Sequence, residues 1–178
     1  MLTRPQAGEG PAQQLSFVAA VALARALDRW VAPERLSLKW PNDVLLDGVK
    51  CAGILLEGRE RATVIGFGVN LAGHPEMTER PATSLPAAGI AAPPAADVCD
   101  ALAAAFNAFR AQWRDHGFAP IRAAWLARAA GVGQPIEARL GTQTLVGVFS
   151  GLGDDGALHL TLSDGTIRPV HAGEVFAL

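Results

Sequence analysis

The stretch Lys39-Trp40-Pro41-Asn42-Asp43-Val44, followed by Lys50-Cys51-Ala52-Gly53-Ile54-Leu55-Leu56-Glu57, sets two lysines, an amide and a carboxylate at the ends of short apolar runs. Cations and hydrogen-bond donors held rigidly at strand ends bind phosphate and carboxylate oxygens and polarise them. Lys50 is the most telling of these groups. Its neighbours Val49, Cys51, Ala52 and Ile54 are apolar. An ammonium among them either meets an anion or reaches solvent from the start of a hairpin arm. Asn42 and Asp43 follow a proline at a strand end, which suits a loop mouth or an Asx-type turn.

Other positions are weighed the same way. Gly53 in mid-strand marks a bulge, tight packing or room for a ligand. Gly66-Phe67-Gly68-Val69-Asn70-Leu71 lacks the third glycine and the following helix of a dinucleotide fingerprint, so its glycines read as sites of close approach. Asn70 ends that strand. Trp40 reads as core because it sits on a strand. His74, His116, His159 and His171 have no metal-ligand spacing and read as surface or loop residues. No serine sits in a nucleophile elbow, and Asp154-Asp155-Gly156 is a hairpin turn rather than a calcium loop.

The elements that must position these groups follow from periodicity. Leu15, Val18, Ala22, Ala26 and Trp30 recur at helical spacing over residues 13–30, with Pro11 before them and Pro33 after. Residues 36–40 form a short strand. Residues 44–46 and 49–57 flank Asp47-Gly48, a strong hairpin signal, and residues 63–71 continue the meander after the polar turn 58–61. Residues 74–94 form a loop rich in Pro, Ala and Gly. Asp97 is the expected N-cap of a helix reaching Gly117, and a shorter helix covers 121–130. From Pro135 onward, short β runs separated by Gly-containing turns predict a small barrel.

Composition limits the function classes. The chain has 178 residues, half of them apolar and 18% charged, enough for one substantial domain and a small one. A net charge of -2 and a pI near 6.1 argue against general nucleic-acid binding. The apolar segment 15–24 is too short to span a bilayer and reads as a helix packed on a sheet. Cys51 and Cys99 have no CxxC partner and read as small buried residues in a reducing, cytoplasmic compartment.

Taken together, Lys39-Trp40-Pro41-Asn42-Asp43 and Lys50-x-Ala52-Gly53-Ile54-Leu55 resemble the biotin protein ligases, and this is the biotin-type pattern rather than that of the lipoate ligases and octanoyl transferases that share the core fold. The resemblance covers residues 15–178. It implies an α+β catalytic domain (1–132) with a mixed, mainly antiparallel sheet, and an SH3-like barrel (133–178). The implied reaction joins biotin to a lysine of a carboxyl-carrier domain, with ATP, through an adenylate. Lys50 would contact the biotin carboxylate and the α-phosphate. Asn42 and Asp43 would face the phosphates, with Asp43 holding Mg²⁺, and Lys39 would add charge beside the triphosphate. Gly53 and Ile54 would line the biotin pocket, Asn70 would lie against the adenylate, and Glu174 would help close over ATP. Thr83-Ser84-Leu85 resembles a nucleotide-side loop.

The departure is at the start. The family carries a Ser/Thr-rich biotin-binding segment and a Gly-Arg-Gly-Arg-type loop before the first helix, and neither is found here. Met1-Leu2-Thr3-Arg4 looks like the tail of a strand. The expectation is a ligase lacking that part, without a DNA-binding domain or a membrane partner, and with homodimerisation left open. The alternatives are a lipoate- or octanoate-transferring relative and a non-catalytic remnant that binds a nucleotide or a carrier.

Overall fold

The computed structural model describes residues 1–59, 62–77, 80–141 and 143–178. The chain opens with a short strand, β1 (Leu2–Thr3), then a single turn Ala12–Gln14 that runs into helix α1 (Leu15–Leu27). Four strands follow the turn Pro33–Arg35: β2 (Leu36–Lys39), β3 (Asp43–Leu46), β4 (Val49–Arg59) and β5 (Ala62–Val69). After a long loop come α2 (Ala95–His116) and α3 (Ala119–Leu126), then β6 (Pro135–Leu140), β7 (Gln143–Leu152), β8 (Leu158–Thr161), β9 (Ile167–Val170) and β10 (Glu174–Ala177). This is the expected α+β architecture.

The first sheet has the order β1-β5-β4-β3-β2, with every strand pairing antiparallel. Parallel pairing enters at the isolated bridges Leu38 to Ala129 and Lys50 to Ala82. The Asp47-Gly48 turn joins β3 and β4 with both residues at positive φ, 52° and 81°, as a two-residue hairpin of this hand demands. Helix α1 is buried almost all round, from Leu15 to Leu27, because it lies between the sheet and helices α2 and α3. The second sheet, β10-β6-β7-β8-β9, turns Ile136, Ala138, Phe149, Leu158, Leu160 and Val175 inward as the SH3-like barrel.

The two parts share one core. Phe17 on α1 meets Phe118 and Trp125 edge to face at 5.3 and 5.6 Å, and Trp125 meets Phe149 of the barrel at 6.5 Å. Gln14 donates through Nε2 to the Asp154 carbonyl at 3.0 Å, and the Trp40 indole donates to the Gly156 carbonyl at 3.2 Å. Gly156 has a φ of +86°, and a Cβ there would lie 2.6 Å from the Phe17 ring. Only glycine lets the barrel turn approach the helix this closely.

Several expectations are corrected. Helix α1 ends at Leu27 rather than residue 30, β2 stops at Lys39, β4 runs on through Arg59 where a turn was expected, and α3 covers Ala119–Leu126. The rest of that expected turn, Glu60 and Arg61, lies outside the described residues. Asp97 is not the N-cap: Pro94 precedes the first turn, where Asp97 still faces the positive helix end. Cys99 is exposed, because α2 turns it away from Val98, Ala101 and Leu102, which form the buried stripe. Cys51 is buried as expected, and burial pushes its thiol up to about 12. The folded chain is therefore expected to react with an aromatic disulfide reagent at Cys99 alone, and at Cys51 only in denaturant. Two fast-reacting thiols in the folded chain would contradict this packing.

Candidate active site

Lys50 and Asp43 meet in the centre of the first sheet. The Lys50 ammonium lies 2.5 Å from Asp43 Oδ1, with the lysine side chain 44% exposed and the aspartate 11%. A β-bulge places them. Leu45 pairs with Lys50 and Val44 with Ala52, so Cys51 is the extra residue in β4. Cys51 and Ala52 are consequently buried in succession, and the alternation shifts by one. Lys50, Gly53 and Leu55 then share the open face, which lets the ammonium reach the aspartate. A Cβ on Gly53 would lie 3.4 Å from Lys50 Nζ and 3.5 Å from Asp43 Oδ1, so any larger side chain there would crowd the pair.

Asn42 and Asp43 part company. Asp43 opens β3 and is buried rather than standing in a loop mouth. Asn42 donates through Nδ2 to the Ile54 carbonyl at 2.8 Å, and its own carbonyl accepts from the Ile54 amide at 2.9 Å. This reciprocal clamp fixes the start of β3 against β4. Asn70 does similar work at the end of β5: its backbone amide donates to Cys51, and its side chain donates to the Thr83 carbonyl at 2.8 Å. The Thr83 amide donates in turn to the Lys50 carbonyl at 2.8 Å, so the loop is stitched to the lysine itself. His74, read from sequence as a surface or loop residue, is half-buried in that loop, 3.1 Å from the buried Ser84 hydroxyl.

Two cavities meet at Lys50. The larger, about 750 Å³, is lined by Lys50, Gly53, Asn70, Arg80, Ala82 and Glu174, among others. The smaller, about 420 Å³, runs along the sheet face past Asn42, Ile54, Leu55, Gly66 and Phe67. Both share Lys50, Gly53 and Gly68. Both cavities mix apolar strand residues and glycines with charged groups: Asp43 and Lys50 in the smaller, Lys50, Arg80 and Glu174 in the larger. A single exposed ammonium stands between them. Lys39 lies beside this site, where burial, then Arg80 and Lys50, hold its ammonium below the usual lysine range against the pull of Asp43 and Glu174. Glu174 reaches the site from the barrel and pairs with Arg80. Arg80 was not anticipated, since nothing in its local sequence marks it.

Among the described residues no three His, Cys, Asp or Glu side chains gather to hold a metal. The donor set fits Mg²⁺ only in its phosphate-sharing mode, in which one or two carboxylates hold an ion carried mainly by substrate oxygens and water. Asp43, beside Lys50, is the carboxylate that would serve in that mode.

A layered α+β domain with a lysine between two cavities, closed by a small barrel, defines a class. Residues 2–127 match the Biotin/lipoate A/B protein ligase family and residues 131–178 match the Biotin protein ligase C terminal domain. The chain is 47% identical to the biotin--[acetyl-CoA-carboxylase] ligase of Paracoccus denitrificans, over 99% of this chain and 78% of that one. It is 30% identical to a bifunctional ligase/repressor of Bacillus subtilis, over 98% of this chain and 56% of that protein, so it spans little more than half of that relative. The biotin protein ligase of Aquifex aeolicus, solved with biotin and ATP, has the same fold: the TM-score is 0.86 at 22% identity, covering 100% of this chain and 77% of that one. The chain belongs to the biotin protein ligase family. Among the described residues no helix is long and apolar enough to cross a membrane.

Proposed function

We propose that this chain ligates biotin to a lysine of a carboxyl-carrier domain through a biotinyl-adenylate. The observation that carries the proposal is the placement of Lys50, paired with Asp43, at the junction of two cavities. The sheet-face cavity, with Ile54, Leu55, Gly66 and Phe67, suits the apolar rings and chain of biotin. The larger cavity, with Asn70, Arg80 and Glu174, suits the nucleotide.

In the first half-reaction a biotin carboxylate oxygen attacks the α-phosphorus, a new O–P bond forms, and the bond to pyrophosphate breaks. Negative charge accumulates between the two cavities, where the Lys50 ammonium stabilises it. Asp43 holds that ammonium in place through their 2.5 Å contact. Mg²⁺ bound with the nucleotide would neutralise phosphate charge, and Asp43 is the residue that would hold it. Gly53 on β4 and Gly68 on β5 face each other across the strand pair, and without side chains they let both reactants approach the sheet at one place. In the second half-reaction the carrier amine attacks the acyl carbon, losing a proton, and the C–O bond to AMP breaks.

The test is transfer by the purified chain to an apo carrier domain with ATP and Mg²⁺, offering biotin, lipoate or octanoate as the acid. Biotin is expected to be used at least about a hundredfold more efficiently than either competitor, since the rigid sheet-face cavity must match the shape of its rings. Equal use of lipoate, or no transfer by a folded chain, would overturn the proposal.

A further inference from the structure

Strand β10 carries a residue that the reading above does not use. The Phe176 ring is approached by cations from three separate parts of the chain: the Arg139 guanidinium at 4.2 Å from its centroid, that of Arg80 at 4.6 Å, and the Lys39 ammonium at 5.5 Å. These distances lie within cation–π range. Arg139 also pairs with Glu137 at 2.6 Å, and Arg80 with Glu174. Lys39 stands within electrostatic reach of Asp43, Lys50, Arg80 and Glu174. Arg80 and Glu174 line the larger cavity together with Lys50.

Gathering like charges around one point is unfavourable unless something compensates them. The negative face of an aromatic ring does so in part, beside the carboxylates of Glu137 and Glu174. With Lys50 paired to Asp43, the three cations around the ring face two carboxylates among the described residues, and this positive surplus beside the cavity favours an anionic ligand group. In a nucleotide that description fits the polyphosphate end.

We infer that Phe176 is a positioning residue: its ring holds Lys39 and Arg80 together beside the larger cavity so that they receive the outer phosphates of the nucleotide. The inference rests on the ligase reading and deepens it by making the barrel's last strand responsible for polyphosphate recognition. Phe176 itself touches no reacting group.

The experiment compares ATP, AMP and biotin binding by calorimetry in the parent chain, Phe176→Leu and Phe176→Trp. Leucine keeps apolar volume and removes the π face; tryptophan restores it. Phe176→Leu is expected to bind ATP about tenfold more weakly while AMP and biotin affinities stay within about twofold, and Phe176→Trp is expected to match the parent within about twofold. Thermal midpoints check that all three chains fold. Unchanged ATP affinity in the leucine variant, equal weakening of ATP and AMP, or no recovery with tryptophan would each overturn the inference. A parent chain that prefers ATP to AMP but does not bind biotin would overturn the ligase reading alone. A parent that makes no distinction between ATP and AMP would overturn this inference.

Discussion

Lys50→Met is expected to lower biotin transfer by about a thousandfold, through loss of the charge that meets the developing negative oxygens at phosphorus. The loss should fall on the adenylate-forming step, so pyrophosphate release in the absence of carrier should drop in parallel. Biotin binding should change far less, because the sheet-face cavity keeps Ile54, Leu55, Gly66 and Phe67. Methionine matches the length of the lysine stem but leaves Asp43, whose side chain is 11% exposed, without its cation. A modest stability loss of about 1 kcal/mol follows, small because the lysine end of the pair is open to water. Adding Asp43→Asn should recover that stability, since no unpaired carboxylate is then left beneath the methionine. Transfer by Lys50→Met within tenfold of the parent would remove Lys50 from the mechanism.

Trp125→Ala is expected to destabilise the chain by about 4 kcal/mol, among the larger effects available to one substitution. Trp125 is 1% exposed and links the Phe17 ring on α1 to Phe149 in the barrel. Truncation leaves a cavity where α1, α3 and the barrel meet, between the Phe17 and Phe149 rings. Against a total stability of about 5–15 kcal/mol, this is a large fraction. Urea unfolding followed by far-ultraviolet circular dichroism would read it as a lower midpoint at similar slope. Trp125→Phe, which keeps most of the edge-to-face contact, should lose less than half as much. A change below about 1 kcal/mol for the alanine variant would mean that the aromatic chain is not a shared core.

Much of the fold was legible because its signals are local. Asp47-Gly48 requires a turn with positive φ, and Asp47 and Gly48 adopt one. Proline boundaries and apolar periodicity located α1, while the Gly-containing turns of residues 135–178 located the barrel strands. Of the candidate site, Lys50 stands out in the sequence as a lysine among apolar neighbours, while Lys39, Asn42, Asp43, Gly53, Ile54, Asn70 and Glu174 were named through the family resemblance. What escaped depends on pairing across distance. The bulge that turns Lys50 and Gly53 to one face arises from the register of β4 on β3; two buried residues in succession, Cys51 and Ala52, were its one local trace. Arg139 meets Phe176 through the pairing of β6 with β10, and Arg80 joins them only when the loop after β5 meets the barrel; nothing local to any of them reports it. Cys99 was misread because an Ala-rich helix offers little contrast between its buried and exposed faces.

The bond from the Trp40 indole to the Gly156 carbonyl bears on how such proteins can be recombined. Family boundaries divide the chain near residue 130, which invites exchanging barrels between relatives as though they were interchangeable parts. Here the tryptophan of the site's own motif is anchored on a barrel turn whose glycine admits the Phe17 ring. A grafted barrel would need that same glycine, an aromatic where Phe149 stands, and a final strand matched to Lys39 and Arg80. Portability therefore follows these contact pairs rather than the boundary in the sequence, and a chimaera built by cutting at the boundary alone would inherit a barrel fitted to another host.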